Sequence, residues 1–212
     1  MAPTDVQLML GVKEGDETAF ELLLARYRSP VINFLYRMLQ NRAIAEELAQ
    51  EVFFRVYRAR KDYKPTAKFT TWMFRIASNL ALNAIRDGRA AKALEVAADE
   101  TDEQSDLPVT QVADCRPTVE QDMMERDRAR AIRQAVGALP EKQRTAVFLH
   151  KYQDMEYTEI AKIIGCSESA LKSLLFRAYE TLRERLKPLV EPPCGRDEAG
   201  FPVHPDKAGG AR

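Results

Sequence analysis

The chain has 212 residues, 45% of them hydrophobic, and its 32 basic and 32 acidic side chains give a formal net charge of zero. This length allows one domain or two small ones with buried cores, and the composition excludes a wholly disordered chain. The N-terminus has no basic segment followed by an apolar run, and no apolar stretch approaches the ~20 residues that span a bilayer, so neither a signal peptide nor membrane insertion is expected.

The first block of the chain, residues 1–92, has the apolar periodicity of helices and holds 15 basic and 10 acidic side chains. Helices are predicted over residues 16–40 and 41–63. Pro30 is expected to break or kink the first of them, because proline removes a backbone donor and clashes with the preceding turn. The second helix places the aromatic Phe54 among polar and charged side chains, including Gln50 and Glu51. Two interpretations are open for Phe54: the edge of a core, or an aromatic anchor that docks on a protein partner.

The next predicted helix follows a loop around Pro65 and ends near Gly88, with Thr70 or Thr71 expected as its N-cap. One side of this helix is an ordinary apolar stripe at helical spacing. A different wedge combines an aromatic ring, amides and guanidinium groups, and Phe69 lies nearby; its residues are Trp72, Arg75, Asn79, Asn83 and Arg86. Asparagine is a poor residue inside a helix, so the two amides favour a recognition role over chance. For Trp72, packing and base stacking both remain open.

Residues 93–125 hold ten acidic side chains and one basic side chain, and residues 96–117 among them include almost no large apolar side chains. Such a segment cannot bury enough apolar surface to fold, so an acidic flexible linker is predicted over residues 93–119. Helices resume near Thr118, and a turn at Leu139 and Pro140 precedes another helix. The Pro- and Gly-rich residues 191–212 are predicted to be a disordered tail.

Residues 157–176 fit a helix-turn-helix. Small Ala161 suits the crossing of two helices, Gly165 suits the turn, and apolar Leu171 suits the packing of the second helix. The outward side of that second helix carries Ser169, Lys172, Ser173 and Arg177, side chains that reach base edges and phosphates when such a helix enters a major groove. Leu174 lies beside this set. A plain helical hairpin with solvated charges is the alternative.

The three cysteines, Cys115, Cys166 and Cys194, are widely spaced and form no zinc-ligand pattern, so no metal or disulfide framework is expected. The two histidines lie on a predicted helix and in the tail. No phosphate loop and no pairing of a nucleophile with a base is visible, so neither an enzyme nor a bound cofactor is predicted.

Taken together, "AEELAQEVFFRVYR", "FTTWMFRIASNLALNAIR" and "LPEKQRTAVFLHKYQDMEYTEIAKIIGCSESALKSLLFRA" resemble the bacterial sigma-70 family of RNA polymerase sigma factors, in its small extracytoplasmic-function (ECF) type. The resemblance covers about residues 5–90 and 120–188. It implies an all-α protein of two small helical domains, residues 1–92 and 120–190, joined by the acidic linker, the second domain containing the helix-turn-helix.

The resemblance also implies partners. Leu48, Gln50, Glu51 and Phe54 match the helix that docks on the clamp helices of the polymerase β′ subunit. The helix from Phe69 matches the reader of the promoter −10 element, with Asn79 close to a flipped base. The second helix of the helix-turn-helix matches the −35 reader, in a domain that also sits on the β flap. The family further implies a cytoplasmic protein, an anti-sigma partner, and a linker that threads the channels where RNA later runs.

Departures from the family pattern at Glu168 and Leu174 leave the −35 sequence open. Two other classes of function remain as alternatives. A stand-alone helix-turn-helix regulator would bind duplex DNA without polymerase. A helical scaffold that sequesters a protein partner would need no helix carrying asparagine and arginine side chains for DNA.

Overall fold

A computed structural model describes residues 3–88 and 119–190 of the chain, and every regular element in these two ranges is helical. Most of the predicted linker, the predicted tail, Cys115 and Cys194 lie outside the described residues. The all-α prediction is confirmed. The α-helices are α1 (Asp5–Glu14), α2 (Glu17–Leu39), α3 (Arg42–Arg58), α4 (Phe69–Arg86), α5 (Val119–Gly137), α6 (Glu141–Tyr152), α7 (Tyr157–Ile164) and α8 (Glu168–Val190).

The described residues form two compact units. One is built from residues 3–88 and 139–178, and the other from residues 119–138 and 179–190, so α8 contributes to both. Within the first unit, α7 packs on α4 and α6 packs on α2. The domain boundaries inferred from the sequence remain a prediction. In the second unit, α5 keeps Ala135 buried, and the far end of α8 carries an exposed ion pair between Arg183 and Glu180.

Local sequence explains where the first helices begin. Thr4 and Gln7 form a reciprocal capping box at the start of α1, a helix that the periodicity analysis did not separate from its neighbours. The side chain of Asp16 accepts a hydrogen bond from the Ala19 amide at the start of α2, and that of Asn41 accepts one from the Ile44 amide at the start of α3. Short polar caps therefore mark all three starts.

Of the break or kink predicted at Pro30, the break is excluded, because helix α2 runs through the proline without interruption. The N-cap predicted at Thr70 or Thr71 was wrong. Helix α4 begins at Phe69 with no side-chain cap, and Thr71 is a buried residue of its first turn. The Thr71 hydroxyl instead donates a hydrogen bond to the carboxylate of Glu159 in α7.

The core of the first unit is a layer of apolar side chains between α1, α2, α3 and α4. Its most buried members include Met9, Leu23, Phe34, Leu35, Met38, Val52, Met73, Phe74 and Ala77. The rings of Phe34 and Phe74 meet edge to face with centroids 5.4 Å apart. Burying one large side chain of this kind stabilises the fold by about 1.5–3 kcal/mol. This packing fixes which side of α4 faces inward, and with it which side is presented to a partner.

Candidate nucleic-acid interface

The outward face of α4 is set by its buried stripe. Met73, Ala77 and Ala84 are buried, which leaves Arg75, Asn79 and Asn83 exposed, as the helical spacing predicted. The exposed Arg86 lies 3.8 Å from Glu141 of α6. Along one surface, α4 therefore presents two amides that can pair with base edges and two guanidinium groups that can hold phosphates.

The aromatic residues at the start of α4 form a cluster. The ring of Trp72 lies 5.3 Å from that of Tyr63 and 6.0 Å from that of Phe69, and it remains partly exposed. Phe69 is only 2% exposed and packs on Tyr27, so contact of its ring with a base would require it to leave the core. Of these three rings, that of Trp72 is the one accessible to a ligand, and the buried Phe69 ring packs against it.

A cleft opens beside Trp72, between the start of α4 and the loop that precedes it. Lys64 and Thr66 contribute from the loop, Arg75 from α4, and Lys162 from α7. The loop is held in place because the Lys13 ammonium donates a hydrogen bond to the Tyr63 carbonyl over 3.2 Å. Burial raises the pKa of the Tyr63 hydroxyl, which therefore stays neutral. An aromatic wall with cationic side chains around it suits an unstacked base and its phosphate.

A second surface lies where α3 meets α4, and we call it the Phe54 groove. It is lined by Glu47, Leu48, Gln50, Glu51, Phe54, Arg55 and Leu80. The Phe54 ring is 59% exposed, Gln50 is exposed, and Leu48 is buried. Glu51 is paired with Arg55 over 2.6 Å along the same helix. A large exposed ring beside a groove that carries an ion pair could anchor a protein partner.

The helix-turn-helix is formed as the sequence predicted. Gly165 adopts the left-handed conformation with φ of 77°, and the Gly165 and Cys166 amides donate to the Ala161 carbonyl over 2.9 and 3.0 Å. The Ser167 hydroxyl accepts a hydrogen bond from the Ala170 amide, which caps α8. Leu171 is fully buried. These contacts fix the angle at which the start of α8 leaves the turn.

The exposed side of α8 carries all four predicted recognition residues, Ser169, Lys172, Ser173 and Arg177. The Lys172 ammonium lies 2.7 Å from the Glu168 carboxylate, which raises the pKa of Lys172 and keeps it cationic. A DNA phosphate that binds Lys172 must compete with the Glu168 carboxylate for its ammonium group.

Sequence reasoning overlooked Phe176. Leu174, the residue noted beside the recognition set, is partly buried, whereas Phe176 is 66% exposed and lines a shallow depression with Lys172, Ser173 and Arg177. The signal was available, because Phe176 follows Lys172 by four positions and Ser173 by three, which puts it on their face of the helix.

The sequence predicted neither a metal site nor a membrane-spanning helix, and both features were looked for in the part of the chain that the structure describes. Within residues 3–88 and 119–190, no three His, Cys, Asp or Glu side chains cluster in a way that could hold a metal ion. None of the described helices is both long enough and apolar enough to cross a membrane. Cys166, the cysteine inside the described ranges, is a partly buried free thiol.

Comparison with known families matches both parts of the chain. Residues 23–91 match the family described as Sigma-70 region 2, and residues 129–182 match Sigma-70, region 4. The chain is 30% identical over 188 residues to the RNA polymerase sigma-H factor of Pseudomonas aeruginosa, covering 88% of this chain and 95% of the relative. It is 31% identical over 188 residues to the ECF RNA polymerase sigma-E factor of Haemophilus influenzae, covering 88% and 97%.

Two solved structures share the fold. CnrH, in complex with the cytosolic domain of CnrY, superposes with a TM-score of 0.63 at 22% identity, covering 86% of this chain and 97% of that one. The sigma factor RpoE from Bartonella quintana, in complex with the anti-sigma factor NepR, gives 0.55 at 21% identity, covering 79% and 96%.

Proposed function

The chain belongs to the ECF type of the sigma-70 family of RNA polymerase sigma factors, and on that premise we propose how its surfaces divide the work of promoter recognition. As a sigma factor, it binds core polymerase, recognises promoter DNA and serves transcription initiation. Its role is binding and not catalysis, and its place of action is the cytoplasm, where polymerase meets the chromosome.

The −10 reader in this proposal is the exposed face of α4 together with the cleft beside Trp72. A base inside a duplex can be read fully only after it leaves the stack, at a cost of a few kcal/mol. Stacking on Trp72 and hydrogen bonds from Asn79 or Asn83 offset that cost, and Arg75 and Arg86 hold the strand. The observation that carries the proposal is the exposure of these amide and guanidinium groups around one partly exposed aromatic ring.

The −35 reader is the exposed side of α8, entering the major groove with Ser169, Lys172, Ser173 and Arg177.

The Phe54 groove is the surface that docks on the β′ clamp helices, with Gln50 and Glu51 setting the register. The helix-turn-helix part of the chain would contact the β flap. An anti-sigma factor is the expected regulator, since the Bartonella quintana relative was captured with one.

The test is reconstitution with core polymerase that lacks any sigma factor. The purified chain should direct RNA synthesis from a duplex promoter obtained by selection from random DNA. Replacing Asn79 and Asn83 together by alanine should abolish RNA from the duplex, whereas replacing Arg42, an exposed residue of α3 that belongs to neither set of reader residues, should not. Sequence-specific duplex binding with no RNA at any promoter would instead favour the stand-alone regulator.

A further inference from the structure

We propose that helix α1 is a brace for the −10 reader, in which Asp5 and Lys13 are positioning residues for the ring of Trp72. This inference rests on the proposed function, because it concerns how the cleft beside Trp72 keeps the shape that an unstacked base needs. Neither Asp5 nor Lys13 is among the residues that line this cleft. Asp5 acts through the side chain of Tyr27, and Lys13 acts through the backbone of the loop before α4.

Helix α1 is seated firmly on the other helices of the first unit. Three of its apolar side chains are buried in the core, namely Leu8, Met9 and Val12. The capping box between Thr4 and Gln7 fixes the first turn, in which Asp5 lies. Lys13 lies in the last turn, about 12 Å further along the helix axis at 1.5 Å per residue. The two side chains therefore extend from opposite ends of one fixed element.

At one end of α1, the Asp5 carboxylate divides its two oxygens between two neighbours on α2. Oδ1 pairs with the Arg26 guanidinium, and Oδ2 accepts a hydrogen bond from the Tyr27 hydroxyl. The Arg26 guanidinium also donates a hydrogen bond to the Pro3 carbonyl over 3.4 Å. Burial, and then the hydrogen bond to Asp5, raise the pKa of the Tyr27 hydroxyl, so this group remains a donor. The position of the Tyr27 ring therefore depends on Asp5.

The Tyr27 ring is the first of three rings that follow one another to the cleft. Its centroid lies 5.6 Å from that of Phe69, and the Phe69 centroid lies 6.0 Å from that of Trp72. Phe69 is buried, whereas the Trp72 ring at the end of the row is partly exposed. Because protein interiors are close-packed, a shift of the Tyr27 ring displaces Phe69, against which the Trp72 ring packs. Asp5 therefore acts on Trp72 through two intervening rings.

At the other end of α1, Lys13 holds the residue of the loop that contacts Trp72. The Lys13 ammonium donates to the Tyr63 carbonyl over 3.2 Å, and the Tyr63 ring lies 5.3 Å from that of Trp72. The Tyr63 hydroxyl is buried and has no hydrogen-bond partner among the residues that the structure describes. The polar contact that ties Tyr63 to α1 is therefore the one that its carbonyl makes with Lys13.

Support of this kind strengthens the reading of an unstacked base. A ring that is already held in place loses less conformational freedom when a base stacks on it, so more of the stacking energy remains as affinity. None of the contacts made by Asp5 and Lys13 that are described above involves α8 or the Phe54 groove. Loss of the brace should therefore impair reading of the −10 element and leave −35 binding and polymerase docking intact.

Three variants of the full chain remove these contacts and leave every aromatic ring in place. Tyr27→Phe removes only a hydroxyl donor, Asp5→Ala removes its acceptor, and Lys13→Met removes the ammonium group but keeps an apolar stem. Lys13→Arg retains a donor and should rescue the loss seen in Lys13→Met. The matched controls are Tyr36→Phe, the same change further along α2, and Glu46→Ala, which removes a carboxylate from an exposed ion pair within α3.

The fluorescence of Trp72 reports the state of the brace directly, because the chain has one tryptophan. In the free chain, the three variants should shift the emission to longer wavelength and raise the acrylamide quenching constant, since a ring with less support is more open to water. Lys13→Arg and both controls should match the parent chain. Circular dichroism checks folding, and Tyr27→Phe alone decides the matter if either α1 variant unfolds. Emission and quenching like those of the parent in the folded variants would overturn the brace.

Promoter opening measures the consequence for reading. With core polymerase and a duplex promoter selected from random DNA, permanganate reactivity should show the three variants opening the −10 element on the order of two- to tenfold less readily, the loss expected for one hydrogen bond. Their affinities for a −35 duplex and for core polymerase should equal those of the parent chain.

Three other outcomes would contradict part of this argument. Equal opening by the parent and by folded variants with altered Trp72 fluorescence would show that the brace has no role in reading. An equal loss of opening, −35 binding and polymerase binding would show a general structural defect instead of a positioning role. A parent chain that never yields RNA with core polymerase would contradict the proposed function, while the fluorescence would still report whether α1 holds Trp72.

Discussion

At the residue scale, Phe54 differs from the other aromatic side chains of residues 3–88 because its ring is exposed, beside a groove, whereas the others are buried or partly buried. Phe54→Ala should weaken binding to core polymerase by about 2 kcal/mol, the usual cost of truncating an aromatic anchor. Gln50→Ala should weaken it as well. The measurement is a co-purification titration, with Leu10→Ala, another exposed apolar residue, as control. Wild-type affinity in both Phe54→Ala and Gln50→Ala would exclude this groove as the docking surface.

The two DNA readers should fail in different ways when single residues are removed. Asn79→Ala should impair opening of the duplex or −10 selectivity, since a lost bidentate base contact costs ~1–3 kcal/mol. Permanganate footprints should show the defect on a duplex promoter and its recovery on a pre-melted one. If a pre-melted −10 element fails to rescue Asn79→Ala, the residue does not act in opening.

Lys172→Ala should weaken −35 binding and should not be rescued by pre-melting. If Lys172 contacts a phosphate, the slope of log affinity against log salt should become shallower by about one. Fluorescence anisotropy with a −35 duplex over a salt series measures this slope. Lys142→Ala, which removes an exposed lysine from α6, is the control. Equal affinity and equal slope for Lys172→Ala and the parent chain would remove Lys172 from the reader.

At the scale of elements, the turn of the helix-turn-helix depends on one backbone conformation. Gly165 has φ of 77°, so Gly165→Ala should destabilise the fold by about 1–2 kcal/mol although no atom crowds the added methyl. Gly137, at the end of α5, has equal space and no positive φ, so Gly137→Ala should stabilise by about 0.4–1 kcal/mol. Urea unfolding monitored by circular dichroism measures the change in the free energy of unfolding for each variant. A loss of similar size in both variants would point to a cause other than backbone strain.

The elements also show how far sequence reasoning reaches. The exposed faces of α4 and α8 follow from spacing alone, because each is the side opposite an apolar stripe. Short capping motifs were equally local, yet the one at Thr4 was missed because α1 is short. Thr71 could not be placed correctly, since its partner Glu159 is 88 positions away. Helical periodicity carries no information on such distant contacts, and for the same reason the packing of α7 on α4 was not predicted.

At the scale of the whole molecule, the acidic segment over residues 93–125 stands between two basic blocks, each with a net charge of +5. A plain tether needs only length and solubility, and the 26 residues from 93 to 118, which precede α5, could reach at most ~90 Å if extended, more than two adjacent domains require. The charge therefore needs a reason of its own. Repulsion from the phosphate backbone is one, because a polyanion does not fold back onto the DNA that both readers must hold.

The linker hypothesis goes further and treats the acidic segment as a mimic of RNA. If the linker threads polymerase channels that later hold the transcript, those channels are basic, and a polyanion occupies them by charge more than by sequence. The growing transcript then displaces the linker and loosens sigma during escape. Most of this segment lies outside the described residues, so the prediction depends on charge alone.

Two linker variants separate charge from sequence. Scrambling residues 93–115 at constant composition should leave transcription nearly intact. Replacing Glu100, Asp102, Glu103 and Asp106 by the corresponding amides should lower the affinity for core polymerase, most clearly at low salt, where screening is weakest. Holoenzyme assembly titrated at two ionic strengths measures both variants. If the neutral linker assembles like the parent at low salt, the acidic segment is only a solvated tether, and if the scrambled linker fails, its sequence and not its charge is what the polymerase recognises.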